Sequence, residues 1–240
     1  MKKTLLTLIG LAAVSLAGVQ AQVLVAGWDF QTTTTNGTAV AASPSTQTVF
    51  NANFGSGTLY LNGTNGASSW AAATELSAFS GTALNNGTVM STTTTSPACL
   101  AALGGTSNSA NGKSIVFKFS MSGYQNLIVS YATQKTSTGF SSQVWDLSTD
   151  GSSWSSLGTV SSIPTSWAVQ TLSTTTVLDN QANAYVRVTF DGATNATGNN
   201  RLDNIQFQAN ASAVPEPSTW ALIALGSAFV LWRTRRKSVC

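Results

Sequence analysis

The sequence predicts an all-β protein, an antiparallel sandwich of two sheets flanked by an N-terminal signal peptide and a single C-terminal transmembrane helix. Apolar and polar residues alternate in six segments of the second half, as in strands with one face on a core and one in water. No long amphipathic helix is visible, although residues 68–81 and 96–105 could each form a short one. Asn-Gly pairs, which favour turns, punctuate the first half at Asn36, Asn62, Asn65, Asn86 and Asn111.

The N-terminus has the order of a secretory signal peptide. Two lysines precede an apolar run over residues 5–16, and a small-residue cleavage pattern ends at Ala21. The run is too short to span a membrane comfortably, and no stop-transfer charges follow it. A buried core helix is the alternative, but the charge order and the cleavage pattern favour export. We therefore expect signal peptidase to remove residues 1–21, so that the mature chain begins at Gln22.

The body of the chain, residues 22–211, is long enough for one large β domain. Its alternating segments recur at intervals typical of an antiparallel sandwich or barrel. Each segment should turn its apolar residues toward a common core. These residues are Ile115, Phe117, Phe119 and Met121; Leu127, Val129 and Tyr131; Trp145 and Leu147; Trp167 and Val169; Val186, Val188 and Phe190; and Ile205 and Phe207.

The formal net charge of +3 comes from the termini and does not describe the body. Six of the eleven basic residues lie in the two terminal segments, which leaves five basic residues against seven acidic ones in the body. These charges are scattered and form no basic stripe, so we expect no nucleic-acid partner. Ser, Thr, Asn and Gly supply the polarity instead and predict a hydrated, weakly charged surface.

The sequence contains no histidine, which excludes the commonest general base and the usual zinc ligand. It also removes the standard partner of a serine or cysteine nucleophile. Two carboxylates could still hydrolyse a glycoside, but the seven acids of the body lie far apart in sequence, mostly beside turns. No catalytic residue is therefore predicted, and a secreted polysaccharide hydrolase using a carboxylate pair stays the alternative function.

The two cysteines are predicted to remain unpaired. Cys99 lies in the body, and Cys240 is the last residue, beyond the terminal apolar run. We expect them on opposite sides of a membrane or on separate products. Because free cysteine is usually buried, Cys99 is predicted to be a small core residue rather than a reactive thiol.

Two late segments resemble the jelly-roll domains of bacterial secreted proteins: TSTGFSSQVWDLSTDGSSWSSLGTV at 136–160 and YVRVTFDGATNATGNNRLDNIQF at 185–207. The shared features are an Asp-Gly hairpin before a tryptophan and a last strand with the order R-x-D-N-I. Asp150 and Gly151 are accordingly predicted to form a tight hairpin turn. The resemblance covers roughly the second half of the body. It implies a galactose-binding-like jelly roll, whose relatives often bind carbohydrate or accompany other domains.

The same resemblance implies a structural calcium ion. In jelly-roll binding modules an acid on the first strand and another on the last often hold Ca²⁺. The residues in these places are Asp29 in AGWDF and Asp203 in RLDNIQF. Calcium takes several oxygen ligands, and backbone carbonyls complete the set. The alternatives for Asp203 are a salt bridge to Arg201 or Arg187, or a turn-capping role. No other cofactor is indicated.

Exposed tryptophan rings could stack on sugars. Trp70 and Trp154 follow serines and are predicted to lie near loops, which makes them the candidate ligand-binding residues. Core packing is the default expectation for each tryptophan of the body: Trp28, Trp70, Trp145, Trp154 and Trp167.

Residues 212–240 are predicted to form a sorting segment. The stretch at 214–217 should stay extended, because proline fixes φ and lacks an N–H. An apolar helix at 218–232 would be about 22 Å long, short of the roughly 30 Å hydrocarbon core, and interfacial tryptophans and a snorkelling arginine would complete the span. A basic tail at 233–237 would stay in the cytoplasm and orient the helix. Its basic residues are Arg233, Arg235, Arg236 and Lys237.

The order V-P-E-P-S-T-W, apolar helix and Arg-rich end is similar to the PEP-CTERM sorting signal. This resemblance implies that exosortase, a membrane protease-transpeptidase, recognises Pro215, Glu216 and Pro217. It further implies a Gram-negative host that makes exopolysaccharide, and transfer of the body to the cell surface or extracellular matrix. An anchor that is never cut is the alternative.

Together these inferences predict a non-enzymatic exported protein that is held in the inner membrane as a precursor. It would then act in the exopolysaccharide layer, either structurally or through weak carbohydrate binding.

Overall fold

The computed structural model describes residues 22–31, 47–92, 94–212 and 226–227. Within these ranges the chain forms thirteen strands, a short α-helix and a 3₁₀ turn. The strands are β1 (Gln22–Trp28), β2 (Val49–Asn51), β3 (Phe54–Gly55), β4 (Gly57–Tyr60), β5 (Leu76–Phe79), β6 (Cys99–Leu103), β7 (Ser114–Phe119), β8 (Tyr124–Lys135), β9 (Ser142–Ser148), β10 (Ser155–Val160), β11 (Ala168–Thr171), β12 (Ala184–Asp191) and β13 (Asn199–Ala211). The helix α1 is Ala72–Glu75, and the 3₁₀ turn is Thr106–Asn108.

The strands form two antiparallel sheets that enclose one core. The seven-stranded sheet has the order β11-β8-β13-β1-β3, with β6 beside β13 and β5 beside β6. The six-stranded sheet has the order β10-β9-β12-β7-β4-β2. Along the second half of the chain, β7, β9, β10 and β12 belong to the six-stranded sheet, whereas β8, β11 and β13 belong to the other. The predicted two-sheet sandwich is confirmed, with the repeated crossing between sheets that a jelly roll requires.

The core consists largely of the alternating apolar residues that the sequence predicts. Trp28 lies between the sheets, and its ring centroid is 5.2 Å from that of Phe117 and 5.8 Å from that of Phe207. Full burial of one such side chain contributes about 1.5–3 kcal/mol. Five of the six predicted segments place all of their named apolar residues in this core.

The segment with Trp167 and Val169 departs from this prediction. Val169 is 43% exposed, and Trp167 is partly exposed. The register pairs Val169 with Ala132, which lies on the opposite face of β8 from the core residues Val129 and Tyr131. The side chain of Val169 therefore points away from the core.

The two helices that the sequence allows have different outcomes. Residues 68–81 contain α1, which lasts only four residues before β5 begins. The expectation of a helix at 96–105 is wrong, because Cys99–Leu103 forms β6, which pairs with β13 on one edge and β5 on the other. Cys99 is fully buried, as predicted, and burial raises the pKa of its thiol to about 12, so the thiol stays protonated.

The predicted terminal segments lie outside the described residues, apart from Gln22, Ser212, Gly226 and Ser227. This holds for the signal peptide with Ala21, for the sorting residues Pro215, Glu216 and Pro217, for the basic tail and for Cys240. Within the described ranges, no helix has both the length and the apolar character needed to cross a membrane.

Candidate functional site

The outer surface of the six-stranded sheet carries two rows of mostly polar and aromatic side chains, here called the sheet face. Their strand neighbours lie in the core, so alternation turns the rows away from it. Strand register aligns the first row as Asn51, Thr58, Lys118, Tyr185 and Ser148. It aligns the second row as Val49, Tyr60, Val116, Arg187 and Asp146.

Two loops pack onto part of the sheet face. Ala67, Val116 and Tyr185 form a small buried cluster, and Tyr60 and Trp154 are partly buried against it. Gly66 makes the contact between the loops feasible, because its φ of +81° suits glycine and a Cβ there would lie only 2.6 Å from the Trp154 ring. The loop with Gly66 and the loop with Trp154 thus fit against each other above the sheet.

Arg187 fixes the position of Trp154. The guanidinium carbon of Arg187 lies 4.2 Å from the indole centroid and covers one face of the ring. Arg187 also donates two hydrogen bonds to Asp146 Oδ2, at 3.2 Å from Nε and 2.8 Å from Nη2. Trp154 remains partly exposed at the border of the sheet face, but the face of its ring that Arg187 covers is not available for stacking on a ligand.

The loop that carries Trp154 is ordered by Asp150. The Oδ1 atom of Asp150 accepts hydrogen bonds from the N–H groups of Ser153 and Ser152, both at 2.7 Å, and from the Ser148 hydroxyl at 2.9 Å. These bonds stabilise the carboxylate and hold the pKa of Asp150 well below its usual value. The predicted tight turn at Asp150 and Gly151 is therefore a longer connection over residues 149–154, closed by a side chain.

A groove of about 480 Å³ opens on one end of the sheet face, along β4 and β7. Tyr60 contributes an aromatic ring to it, and Lys118 contributes an ammonium group whose Nζ lies 5.3 Å from the centroid of the Tyr185 ring. The other polar side chains of the groove are Asn51, Ser56, Thr58 and Ser120. A groove lined by an aromatic residue together with residues that carry hydroxyl, amide and ammonium groups suits a polyhydroxylated ligand.

The expectation that Trp70 is available to a ligand is wrong. Trp70 is 4% exposed, and its ring centroid lies 6.0 Å from that of Phe190. Its Nε1–H donates to the carbonyl of Ser114 at 2.8 Å. Because its only donor is satisfied inside the protein, the indole packs as a core residue, and of the two predicted tryptophans only Trp154 reaches the sheet face.

A second candidate site lies where one edge of β13 changes its partner strand. β6 pairs with residues 199–202 and β1 with residues 205–210, so Asp203 and Asn204 fall in the gap. Asp29 directly follows β1, and Ala98 directly precedes β6. The carboxyl groups of Asp29 and Asp203 are both fully buried and close enough to interact. The fold thus brings together the two acids that the jelly-roll resemblance singles out.

Backbone N–H groups bind both carboxyl groups. Asp203 accepts hydrogen bonds from Thr82 at 2.7 Å and from Asn204 at 2.8 Å. Asp29 accepts hydrogen bonds from Gln31 at 3.1 Å and from Ser91 at 2.9 Å. Burial raises the pKa of Asp203 to about 8, although its two N–H donors lower it, and the Asp29 carboxylate adds to the rise. Such a pair favours the uptake of a proton or a cation.

The oxygen atoms around this pair match the chemistry of Ca²⁺. Oδ1 of Asn204 is buried and has no hydrogen-bond donor among the described residues. A Cβ on Gly81 would lie 2.4 Å from Asp203 Oδ2 and 2.6 Å from the Ala98 carbonyl oxygen, so these two oxygens border the same point. Carboxylate, amide and carbonyl oxygens are the donors that calcium prefers.

A metal at this place would depend on more than acidic side chains. In the part of the chain that the structure describes, no group of three or more His, Cys, Asp and Glu residues could hold a metal ion. Calcium accepts about six to eight oxygens, so Asn204 and backbone carbonyls would have to complete the set. The carboxylate, amide and carbonyl oxygens therefore fit calcium, whereas the nearby Cys99 thiol is protonated and donates to the carbonyls of Phe79 and Ser80.

The salt-bridge alternatives for Asp203 are not found. The salt bridges among the described residues join Lys113 to Glu75 and Arg187 to Asp146. Arg201 instead lies over the ring of Phe79, with its guanidinium carbon 4.5 Å from the centroid. The capping alternative is present in part, since Asp203 accepts the N–H of its neighbour Asn204.

Sequence reasoning missed Tyr60, Lys118 and Tyr185 as parts of the sheet face. The alternation that places Val186 and Val188 in the core also places Tyr185 on the outside, so part of the signal was available. Which loops cover the face depends on contacts between distant segments, and these leave no local pattern.

Comparison with protein families finds one match. Residues 213–237 match the family described as the PEP-CTERM protein-sorting motif. The match confirms the resemblance carried by V-P-E-P-S-T-W and covers the C-terminal segment alone. No curated protein matches the chain.

Solved structures with some likeness include the CBM22-1 xylan-binding domain from Paenibacillus barcinonensis, at 8% identity and TM-score 0.41, over 82% of this chain and 100% of that one. The module CBM36 in complex with calcium and xylotriose is similar at 15% identity and TM-score 0.33, over 45% and 78%. The K2 cleaved adhesin domain of Lys-gingipain is similar at 11% identity and TM-score 0.36, over 49% and 75%. Likenesses of this size carry no argument about ligand or activity. The chain therefore combines an antiparallel β-sandwich with a C-terminal PEP-CTERM sorting motif.

Proposed function

We propose that this chain is a non-enzymatic exported protein of the cell envelope or extracellular matrix, and that its sandwich binds a neutral polysaccharide weakly through the sheet face. The binding proposal rests on the groove that Tyr60 lines together with residues that carry hydroxyl, amide and ammonium groups. The sorting motif at 213–237 carries the proposal of delivery.

Delivery follows from the two terminal segments. Signal peptidase cuts after Ala21, and the precursor stays in the inner membrane of a Gram-negative cell. Exosortase recognises Pro215, Glu216 and Pro217, while the basic tail remains cytoplasmic. Removal of the tail then passes the body to the exopolysaccharide layer.

The chemistry of the sheet face suits a sugar chain. The partly buried ring of Tyr60 can stack against the apolar face of a pyranose. Asn51 and Thr58 offer hydrogen bonds to sugar hydroxyls, and Lys118 offers donors alone. One ring and a few hydrogen bonds predict weak binding at a single site, which repetition along a polysaccharide would strengthen.

Catalysis has no support from the described residues. Asp146, the acid on the sheet face, is engaged by Arg187. Asp29 and Asp203 do interact with each other, but both are fully buried and out of reach of a glycan. A glycosidase needs two carboxyl groups that flank the bond it cleaves.

A calcium ion at Asp29 and Asp203 would serve the fold rather than the ligand. The residues that would hold it are the two acids, the amide oxygen of Asn204 and the carbonyl of Ala98. Its charge would balance the two carboxylates, and its bonds would join the ends of β1 and β6 to the gap in β13.

The binding proposal is tested by calorimetric titration of the full chain, purified in detergent, with neutral β-1,4-linked hexasaccharides of xylose, galactose and glucose. Tyr60→Ala should weaken binding of the preferred sugar by about tenfold, because it removes the ring of the groove. Trp167→Ala is the matched control, since it removes a partly exposed ring outside the core and the sheet face. Equal affinity in wild type and Tyr60→Ala, or an equal loss in Trp167→Ala, contradicts the proposal.

The delivery proposal is tested by mass spectrometry of the protein from its native host. Wild-type protein should begin at Gln22 and lack the sorting segment. Glu216→Ala should leave a longer, membrane-bound precursor. A wild-type chain that retains both Met1 and Cys240 contradicts delivery without affecting the binding result.

A further inference from the structure

Three of the five cations in the described body form no salt bridge with a described carboxylate, and two of these three line the same pocket. Lys113 and Arg187 form salt bridges with Glu75 and Asp146, and Lys118 lies over the ring of Tyr185. Lys135 and Arg201 form no salt bridge with any described residue, and both line one pocket. In a body with few charges, this is a local concentration of positive charge away from the sheet face.

The pocket, here called the basic pocket, has a volume of about 690 Å³ and lies at the end of β8 on the seven-stranded sheet. Strand register sets Gln134 of β8 opposite Arg201 of β13. The N–H of Lys135 donates to the carbonyl of Pro164 at 2.8 Å, which brings the loop with Thr165 to the rim. Gln134, Thr136, Ser137 and Thr165 surround the two cations with amide and hydroxyl groups.

Arg201 is held in a fixed position while part of its guanidinium group stays available. One face stacks on Phe79 at 4.5 Å, and Nε donates to Asn199 Oδ1 at 3.2 Å. No described carboxylate pairs with its two terminal nitrogens. A guanidinium group that is already oriented loses little freedom on binding, and its paired N–H groups match the two oxygens of a carboxylate.

We propose that the basic pocket binds a sugar residue that carries a carboxylate, as in the uronic acids of acidic polysaccharides. Arg201 and Lys135 bind the carboxylate, while the surrounding amide and hydroxyl groups bind the sugar hydroxyls. The volume falls within the range of small-ligand sites. The basic pocket shares no residue with the sheet face, so it adds a second ligand class to the proposed binding of neutral polysaccharide.

The test titrates the full chain, purified in detergent, with three probes: a galacturonate tetrasaccharide, its fully methyl-esterified form and inorganic sulfate. The acid should bind, and binding should weaken as the salt concentration rises from about 50 to about 500 mM. The ester and sulfate should each bind about tenfold more weakly or worse, because the ester lacks the charge and sulfate lacks the sugar hydroxyls.

Lys135→Gln and Arg201→Gln should each weaken binding of the acid by about tenfold. Asp191→Asn is the control, since it also changes one exposed charge, lines neither the basic pocket nor the groove, and should leave affinity for the acid unchanged. Lys135 lies at the end of its strand, so Lys135→Gln decides the question if Arg201→Gln fails to fold.

Equal binding of the acid and its ester, wild-type affinity in Lys135→Gln or stronger binding of sulfate than of the sugar acid overturns the proposal. The neutral hexasaccharide titration separates the two sites, because it should respond to Tyr60→Ala and not to Lys135→Gln. Either site can therefore fail while the other stands.

Discussion

Asp29 and Asp203 have buried carboxyl groups that lie close enough to interact, and burying the charged form of such groups is costly. The N–H donors to Asp203 reduce that cost but do not remove it, since burial still raises its pKa to about 8. The neighbouring Asn204 Oδ1 has no donor among the described residues. A calcium ion would satisfy all three groups at once.

Calcium should therefore stabilise the protein at this pair. With free calcium at about 100 times its dissociation constant, the free energy of unfolding should rise by about 2.7 kcal/mol. Asp203→Asn should remove this gain, because it takes away one of the two charges that bind the ion. Asp191→Asn, which changes an exposed acid, should keep the gain.

The readout is the thermal unfolding of all three proteins with chelator and with excess calcium. If the wild type has the same melting temperature with chelator and with excess calcium, the calcium proposal is wrong.

Single residues were only partly predictable from the sequence. Asp29 could be chosen because it directly follows the first strand, and Asp203 because it lies in the last strand. Thr82, Ser91 and Ala98, which complete their surroundings, belong to segments whose position depends on tertiary packing. Trp70 follows two serines, as a loop residue would, yet its indole N–H donates to a backbone carbonyl and its ring packs on an aromatic neighbour inside the core.

At the scale of elements, Glu75 joins the end of α1 to the segment that connects the 3₁₀ turn with β7. Its carboxylate accepts hydrogen bonds from the N–H of Ala71 at 2.7 Å and the hydroxyl of Ser109 at 2.8 Å, and it forms a salt bridge with Lys113. Burial alone would raise the pKa of Glu75, but the hydrogen bonds from Lys113, Ala71 and Ser109 outweigh it and lower the pKa below its usual value.

Glu75→Gln should lower the free energy of unfolding by about 2 kcal/mol at neutral pH, because it leaves Lys113 without its partner. The stabilisation by Glu75 is complete above its unfolded pKa and is lost as pH falls through the lower folded pKa. The difference between wild type and variant should therefore shrink on acidification.

Urea unfolding at several pH values measures this difference, and a cycle with Lys113→Gln isolates the pair. A difference that grows toward low pH would contradict the assigned direction of the shift.

The loop at 149–154 is the element that presents Trp154 to the sheet face. Asp150→Ala should free the N–H groups of Ser152 and Ser153 and speed their hydrogen exchange, while the strands on either side stay protected. Asp191→Ala is the control, since Asp191 caps only Gly192 next to it. Exchange at Ser152 and Ser153 that matches the wild type would show that the carboxylate does not order the loop.

Strands with one buried face were predictable, whereas elements without alternation were not. The residues of β7 and β12 alternate, and their apolar sets lie in the core as expected. The sequence of β6 is apolar throughout, which fits a short helix as well as a strand, and only its pairing with β5 and β13 decides. For β11 the alternation was real, but the register with β8 sets Val169 on the outer side.

At the scale of the whole molecule, the two proposed binding surfaces lie on different sheets. The sheet face belongs to the six-stranded sheet, and the basic pocket belongs to the seven-stranded one. Neutral and acidic sugars should therefore bind without competing.

The sequence predicts the sandwich, the signal peptide and the sorting segment, because strand periodicity and sorting signals are local patterns. The loops and pockets depend on long-range contacts and were not predictable.

Hydrogen exchange of the full chain, with and without the preferred neutral hexasaccharide, tests the central proposal most directly. Protection should appear in peptides covering residues 49–60 and 114–120, which border the groove, and not in those covering 134–137 and 199–203. Protection confined to the second set, or unchanged exchange at a saturating concentration of the sugar, would contradict binding at the sheet face.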